Sequence, residues 1–213
     1  SSAASDVYKR QTLENSLSAI QLDSQSGEVL QSIVPQDPLT PDATWKPVVV
    51  DVDIDNNVYV GYNKSGNAIV IKYDENGNQL DYMQDDSATL VDMLILRTGT
   101  IAWLTTERLG LLAINDDPVL NFENVQDDLA QVAPGLGTAL AVDLNLNIYT
   151  IAGNNTVVKF SEEESWVPQT LSITDGDLVA LASDSRGYVW VLDNGNNKSY
   201  YIPGHASDIS TLT

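Results

Sequence analysis

The chain has 213 residues, with 10 Lys plus Arg against 30 Asp plus Glu, and so a net charge of −20. It has no Cys and one His, which excludes disulfides, thiol catalysis, sulfur-ligated zinc and multi-histidine metal cages, and leaves His205 as the sole histidine for any Ser-His-Asp triad. Acidity of this order excludes binding nucleic acid through its phosphates, and no apolar run reaches the roughly 18 residues of a membrane-spanning helix.

Residues 1–11, SSAASDVYKRQ, form a small-residue run followed by a basic patch in an otherwise acidic chain. They resemble the in-frame translation of a sequencing-library adapter, and the expectation is a non-native tail that takes no part in the fold. Residues 12–213 are expected to form a single domain. LSAIQLD (17–23) and EVLQSIV (28–34), joined by SQSG, read as the outer two strands of a first blade. From VVVDVDI (48–54) onward, β-branched runs of five to eight residues alternate with clusters such as NKSGN, DENGN, RTGT, AGNN, DSRG and NGNN. The runs are strands, and the clusters are hairpin turns in which Asn and Gly take positive φ. FENVQDDLAQV (122–132) is the closest approach to a helical pattern and reads as one short turn or an acidic loop. The chain is predicted to be all-β.

The runs repeat. VDIDNNVYV (52–60), VDLNLNIYT (142–150) and SDSRGYVWV (183–191) align, so that Asp53, Asp143 and Asp184 coincide, each followed six residues later by Tyr59, Tyr149 or Trp190. LRTGTIAW (96–103) fits between them with Leu96 and Ala102 at those two positions. The spacings are 43 (53 to 96), 47 (96 to 143) and 41 (143 to 184). Units of four antiparallel strands at this period describe a β-propeller blade, with blades starting near 48, 90, 138 and 178. The count comes to about four and a half blades, expected to be part of an incomplete ring, since an open ring leaves sheet edges exposed.

The pattern of AVD, then N(I/V)Y, then a strand such as VVKF or IVIKYDENG resembles the repeats of NHL-type and gluconolactonase-like six- or seven-bladed propellers. That resemblance implies a propeller fold. It also implies one enzymatic reading, a metal-dependent hydrolase of the lactonase kind with Glu, Asn and Asp ligands in the channel, although no residue here can be assigned to that set.

The candidate chemistry is sparse. Asp51, Asp53 and Asp55 resemble the opening of a calcium loop, but Asn56 and Tyr62 stand where that loop needs Gly and Glu. Asp53 is read instead as a hairpin clamp, accepting backbone N–H bonds. Whether the chain holds any metal is left open, and no cofactor or catalytic residue is assigned. Glu162, Glu163 and Glu164, and the pairs Asp85-Asp86, Asp116-Asp117 and Asp127-Asp128, read as solvated loops and turns. His205 reads as a loop residue. Trp103 and Trp190 are expected to pack within blades, leaving Trp45 and Trp166 as the freer pair for stacking a sugar. The sequons at Asn63, Asn154 and Asn197 are what an Asn-rich chain carries by chance. The expected function is a non-catalytic recognition or scaffold propeller, a monomeric module of a larger exported bacterial or environmental protein. It would bind a protein or glycan, with no nucleic acid and no membrane span, in an extracytoplasmic location.

Overall fold

A computed structural model of the chain describes residues 8–12, 19–23, 26, 28–33, 44–86, 88–106, 109–113, 127–128, 136–163 and 167–203. The described residues form five sheets, each taking its strands in chain order or its reverse, and the strands of the first, second, fourth and fifth pair antiparallel. The first holds β1 (Tyr8–Thr12), β2 (Ala19–Asp23) and β3 (Val29–Ile33). The second holds β4 (Lys46–Val52), β5 (Val58–Lys64), β6 (Asn67–Tyr73) and β7 (Gln79–Asp85). The third holds β8 (Leu90–Ile95), β9 (Thr100–Thr105), β10 (Leu109–Ala113) and β11 (Asp127–Asp128). The fourth holds β12 (Leu136–Val142), β13 (Ile148–Ala152), β14 (Thr156–Phe160) and β15 (Gln169–Ser172), and the fifth β16 (Leu178–Ser183), β17 (Val189–Asp193) and β18 (Lys198–Ile202).

By compactness the chain divides into two units, residues 1–103 with 111–127, and residues 104–110 with 128–213. In the first unit, Ala19, Ile33 and Trp45 pack with Val58, Val60, Tyr62, Ile69 and Ile71 on one face of the second sheet. On its other face, Tyr59, Ala68 and Val70 pack with Leu90, Met93, Ile101 and Trp103. The middle strands are therefore buried on both sides, which is why β5 and β6 read as continuous apolar runs, whereas the outermost strand β7 alternates. In the second unit, Tyr149, Ile151 and Val157 pack against Leu178, Val189, Val191 and Ile202 in the same manner.

First strands lie side by side, β8 against β4 and β16 against β12. Three of them, β4, β12 and β16, carry a register shift near their start. Polar straps tie the neighbours. The Ile95 amide donates to Asp51 Oδ2 at 2.7 Å, and the Val142 amide to Ser183 Oγ at 3.0 Å. The Asn63 side chain spans from β5 to β8, accepting the Leu90 N–H at 2.8 Å and donating to the Leu90 carbonyl at 2.7 Å.

The strands from 17–23 and 28–34 pair as β2 and β3, on the side of the sheet's first strand away from the neighbouring β4, and one expectation changes: β1 supplies a strand ahead of them. That strand reaches into the adapter-like segment, with Tyr8 to Thr12 in antiparallel register with Asp23 to Ala19. Pairing at a sheet edge asks for free backbone N–H and C=O groups and not for particular side chains, so the origin of the segment does not bar it from pairing. Of the 122–132 segment, only β11 lies within the described residues.

Candidate functional site

The polar groups that recur from sheet to sheet sit at one kind of place, the turn joining the first two strands. Asp53 Oδ1 accepts the amides of Asp55 and Asn57 at 2.9 and 2.8 Å. Its Oδ2 accepts the Asn57 amide nitrogen Nδ2 at 2.8 Å and the Tyr59 hydroxyl at 3.1 Å. Asp143 repeats the arrangement, with the Asn145 and Asn147 amides at 2.8 and 3.0 Å, Asn147 Nδ2 at 2.8 Å and the Tyr149 hydroxyl at 3.0 Å. Asp184 keeps the two amide bonds, from Arg186 at 2.9 Å and Tyr188 at 3.0 Å. There Oδ2 accepts Nη2 of Arg186 at 2.8 Å and the Trp190 indole N–H at 3.3 Å. The six-residue spacing from Asp to aromatic is thus the reach from a turn carboxylate to a ring on the following strand.

The same turn forms without its carboxylate. In the third sheet, the Leu96 amide donates to the Thr100 carbonyl at 2.8 Å and the Gly99 amide to the Leu96 carbonyl at 2.9 Å, matching the bonds about Asp53, Asp143 and Asp184. One position per turn has positive φ, filled by Asn56, Gly99, Leu146 and Gly187. A further copy, Asp74 with Asn76 and Asn78, closes the β6–β7 hairpin.

Environment sets the charge state of these carboxylates. Partial desolvation pushes Asp184 up, but the bonds from Arg186, Tyr188 and Trp190 outweigh it and hold the carboxyl at about 2. Hydrogen bonds from the Asn78 side chain and amide hold Asp74 low. Asp193, closed off by its own turn, is held low chiefly by the Asp177 amide. Asp51 goes the other way: burial raises it, and Asp92 and Asp53 add like-charge repulsion against the pull of the Ile95 and Val52 amides. Burial, then the facing carboxylate, pushes the Tyr59 and Tyr149 hydroxyls well above the usual phenol range.

The alternating set Asp51, Asp53 and Asp55 is not brought together as a ligand cage. Asp51 turns its oxygens to Val52 and Ile95, Asp53 has donors on both oxygens, and Asp55 is exposed on the turn. Among the described residues, no group of three or more His, Cys, Asp or Glu is placed to hold a metal ion. Glu162, Glu163 and Asp86 are exposed, while Asp85 is buried at the end of β7 and so is no solvated turn residue. Glu164, Asp116, Asp117, Trp166 and His205 lie outside the described residues.

Trp45 is not free for stacking. It is only 9% exposed, sits in the first core cluster and carries Lys64 over its ring at 5.6 Å. Trp103 is fully buried as expected, whereas Trp190 remains 36% exposed and leans on Tyr201 with ring centres 5.4 Å apart. Asn63 and Leu90 were the straps that sequence reading missed; a bond between residues 27 apart leaves no local signal.

No protein-family model matches the chain, and no curated protein matches it in sequence. Among solved structures, a protein of unknown function from Bacteroides caccae superposes with a TM-score of 0.62 at 12% identity, over 92% of this chain and 74% of that one. A catalytically inactive virginiamycin B lyase from Staphylococcus aureus, solved with quinupristin, superposes with a TM-score of 0.64 at 9% identity over 98% of this chain. The chain spans 66% of the length of that lyase. No chain of no more than 12% identity carries a function across. The likeness is one of fold, and that fold is a β-propeller of four-stranded antiparallel blades.

Proposed function

We propose that the chain is a non-catalytic recognition or scaffold propeller, a module of a larger exported bacterial or environmental protein that binds a protein or glycan. The observation that carries this reading is the engagement of the recurring carboxylates. Asp53, Asp143 and Asp184 each accept at least four hydrogen bonds from their own hairpin, so the most repeated acidic feature builds the scaffold. The test is a calcium titration followed by thermal melting at matched ionic strength. A ligand at a hundred times its dissociation constant adds about 2.7 kcal/mol, a shift of several degrees for a domain near this size. The expected result is a small rise that any salt reproduces through screening of the acidic surface. A saturable shift with micromolar calcium, absent with magnesium, overturns it.

One observation favours the alternative, a metal-dependent hydrolase of the lactonase kind: a structure of the same fold is an enzyme, the lyase described above. Under that reading Asp51 is the carboxylate to test. It is partly buried, with its acidity shifted by desolvation and by Asp92. Lactone hydrolysis that Asp51→Asn abolishes without unfolding the protein would move this reading ahead of the scaffold.

A further inference from the structure

The fifth sheet differs from its predecessors in one respect. Its middle strand β17 alternates strictly, with Val189, Val191 and Asp193 buried and Trp190 and Leu192 exposed, whereas β5 and β13 are buried on both faces almost throughout. Val189 and Val191 face the fourth sheet, in one cluster with Tyr149 and Ile151. The opposite face presents Trp190 and Leu192, the latter 50% exposed.

Sequence equivalence tells what such a face is for. Trp190 occupies the place of Tyr59 and Tyr149, each fully buried, and Leu192 that of Ile151, only 1% exposed. In both earlier cases the covering element is the next sheet: Tyr59 lies with Met93, Ile101 and Trp103, and Tyr149 with Leu178, Val189 and Val191. The face is also preassembled. Tyr201 lies between Tyr188 and Trp190, edge-on to the first and tilted against the second, both at 5.4 Å. The match to structures of the same fold takes in only 74% and 66% of their lengths, so that fold holds more strands than the 213 residues supply.

We infer that the face formed by Trp190, Leu192 and Tyr201 is a docking surface for a further blade of this repeat, which covers it as the fifth sheet covers Tyr149. The argument is continuity with two interfaces already built in the same way, and it is independent of the proposed function.

The absence of cysteine gives a clean reporter. Leu192→Cys introduces the only thiol, whose reaction rate with a disulfide reagent reads the accessibility of the face. In the 213-residue chain it should react at a rate within a few fold of a free thiol. In a chain extended past Thr213 by a second copy of residues 178–203, with Leu at the copied position, the rate should fall at least tenfold. An unchanged rate with the added sheet protected from proteolysis overturns the inference. A second measurement does not depend on the added sheet folding. Trp190→Lys combined with Leu192→Lys should leave the melting temperature of the 213-residue chain within about 2 °C while abolishing binding of a hydrophobic dye, whereas Tyr149→Lys unfolds it. A loss as large as that from Tyr149→Lys means the face is already covered. A stable dimer abolished by the double substitution assigns it to a second copy. Either result also overturns the inference.

Discussion

At the scale of single residues, the turn carboxylates are hubs. Asp143→Ala removes a buried acceptor serving two amides, an Asn side chain and a Tyr hydroxyl, and should cost about 2–3 kcal/mol in chemical denaturation. Tyr149→Phe removes one of those bonds and should cost about 1 kcal/mol, most of it absent when Asp143 is already Ala; a double-mutant cycle reads this coupling. Leu146 holds φ at 64°, a region costly for a side chain of its kind. Leu146→Asn should therefore stabilise by about 0.5–1 kcal/mol, and a drop in denaturation midpoint would refute it. Asp184 has a clear pH signature. Its folded pKa, about 2, lies below its ordinary value of 3.8, so its contribution is present above that ordinary value and is lost as pH falls from about 4 to about 2. Asp184→Asn should flatten the acid limb of the stability profile over that interval.

At the scale of elements, the limits of sequence reading become physical. The Asp-to-aromatic spacing was legible because one hairpin contains every partner, so the chemistry is local. What joins one sheet to the next was not, because Asn63–Leu90 and Asp51–Ile95 depend on which strands lie side by side. Trp45 was misjudged for the same reason: its position beside a turn suggested exposure, and the core that buries it is drawn from β2, β3, β5 and β6. Gly61 is another silent requirement. A Cβ there would stand 2.8 Å from Val49 Cγ1 and closer still to Leu90 Cδ2, so Gly61→Ala should overpack the contact between β5 and β8 and cost about 1–3 kcal/mol by thermal denaturation.

At the scale of the whole molecule, the repeat period and the strand count identified the fold class, since both follow from composition and turn chemistry. The charge of −20 predicts the molecule's response to salt. Monovalent salt should raise the melting temperature gradually, without saturating near micromolar concentration, because screening acts on the summed repulsion and not at a site. An unchanged melting temperature between low and physiological salt would refute this.

The strap at Asn63 bears on how the protein can be made. Asn63-Lys64-Ser65 is an acceptor sequence for N-linked glycosylation, yet the Asn63 amide donates to the Leu90 carbonyl and its oxygen accepts from the Leu90 amide. A eukaryotic secretory pathway attaches its sugar while the chain is still emerging, before β8 has arrived to claim that side chain. Yeast or mammalian secretion would thus install a bulky group at a joint between two sheets, whereas a bacterial host leaves the joint free to close.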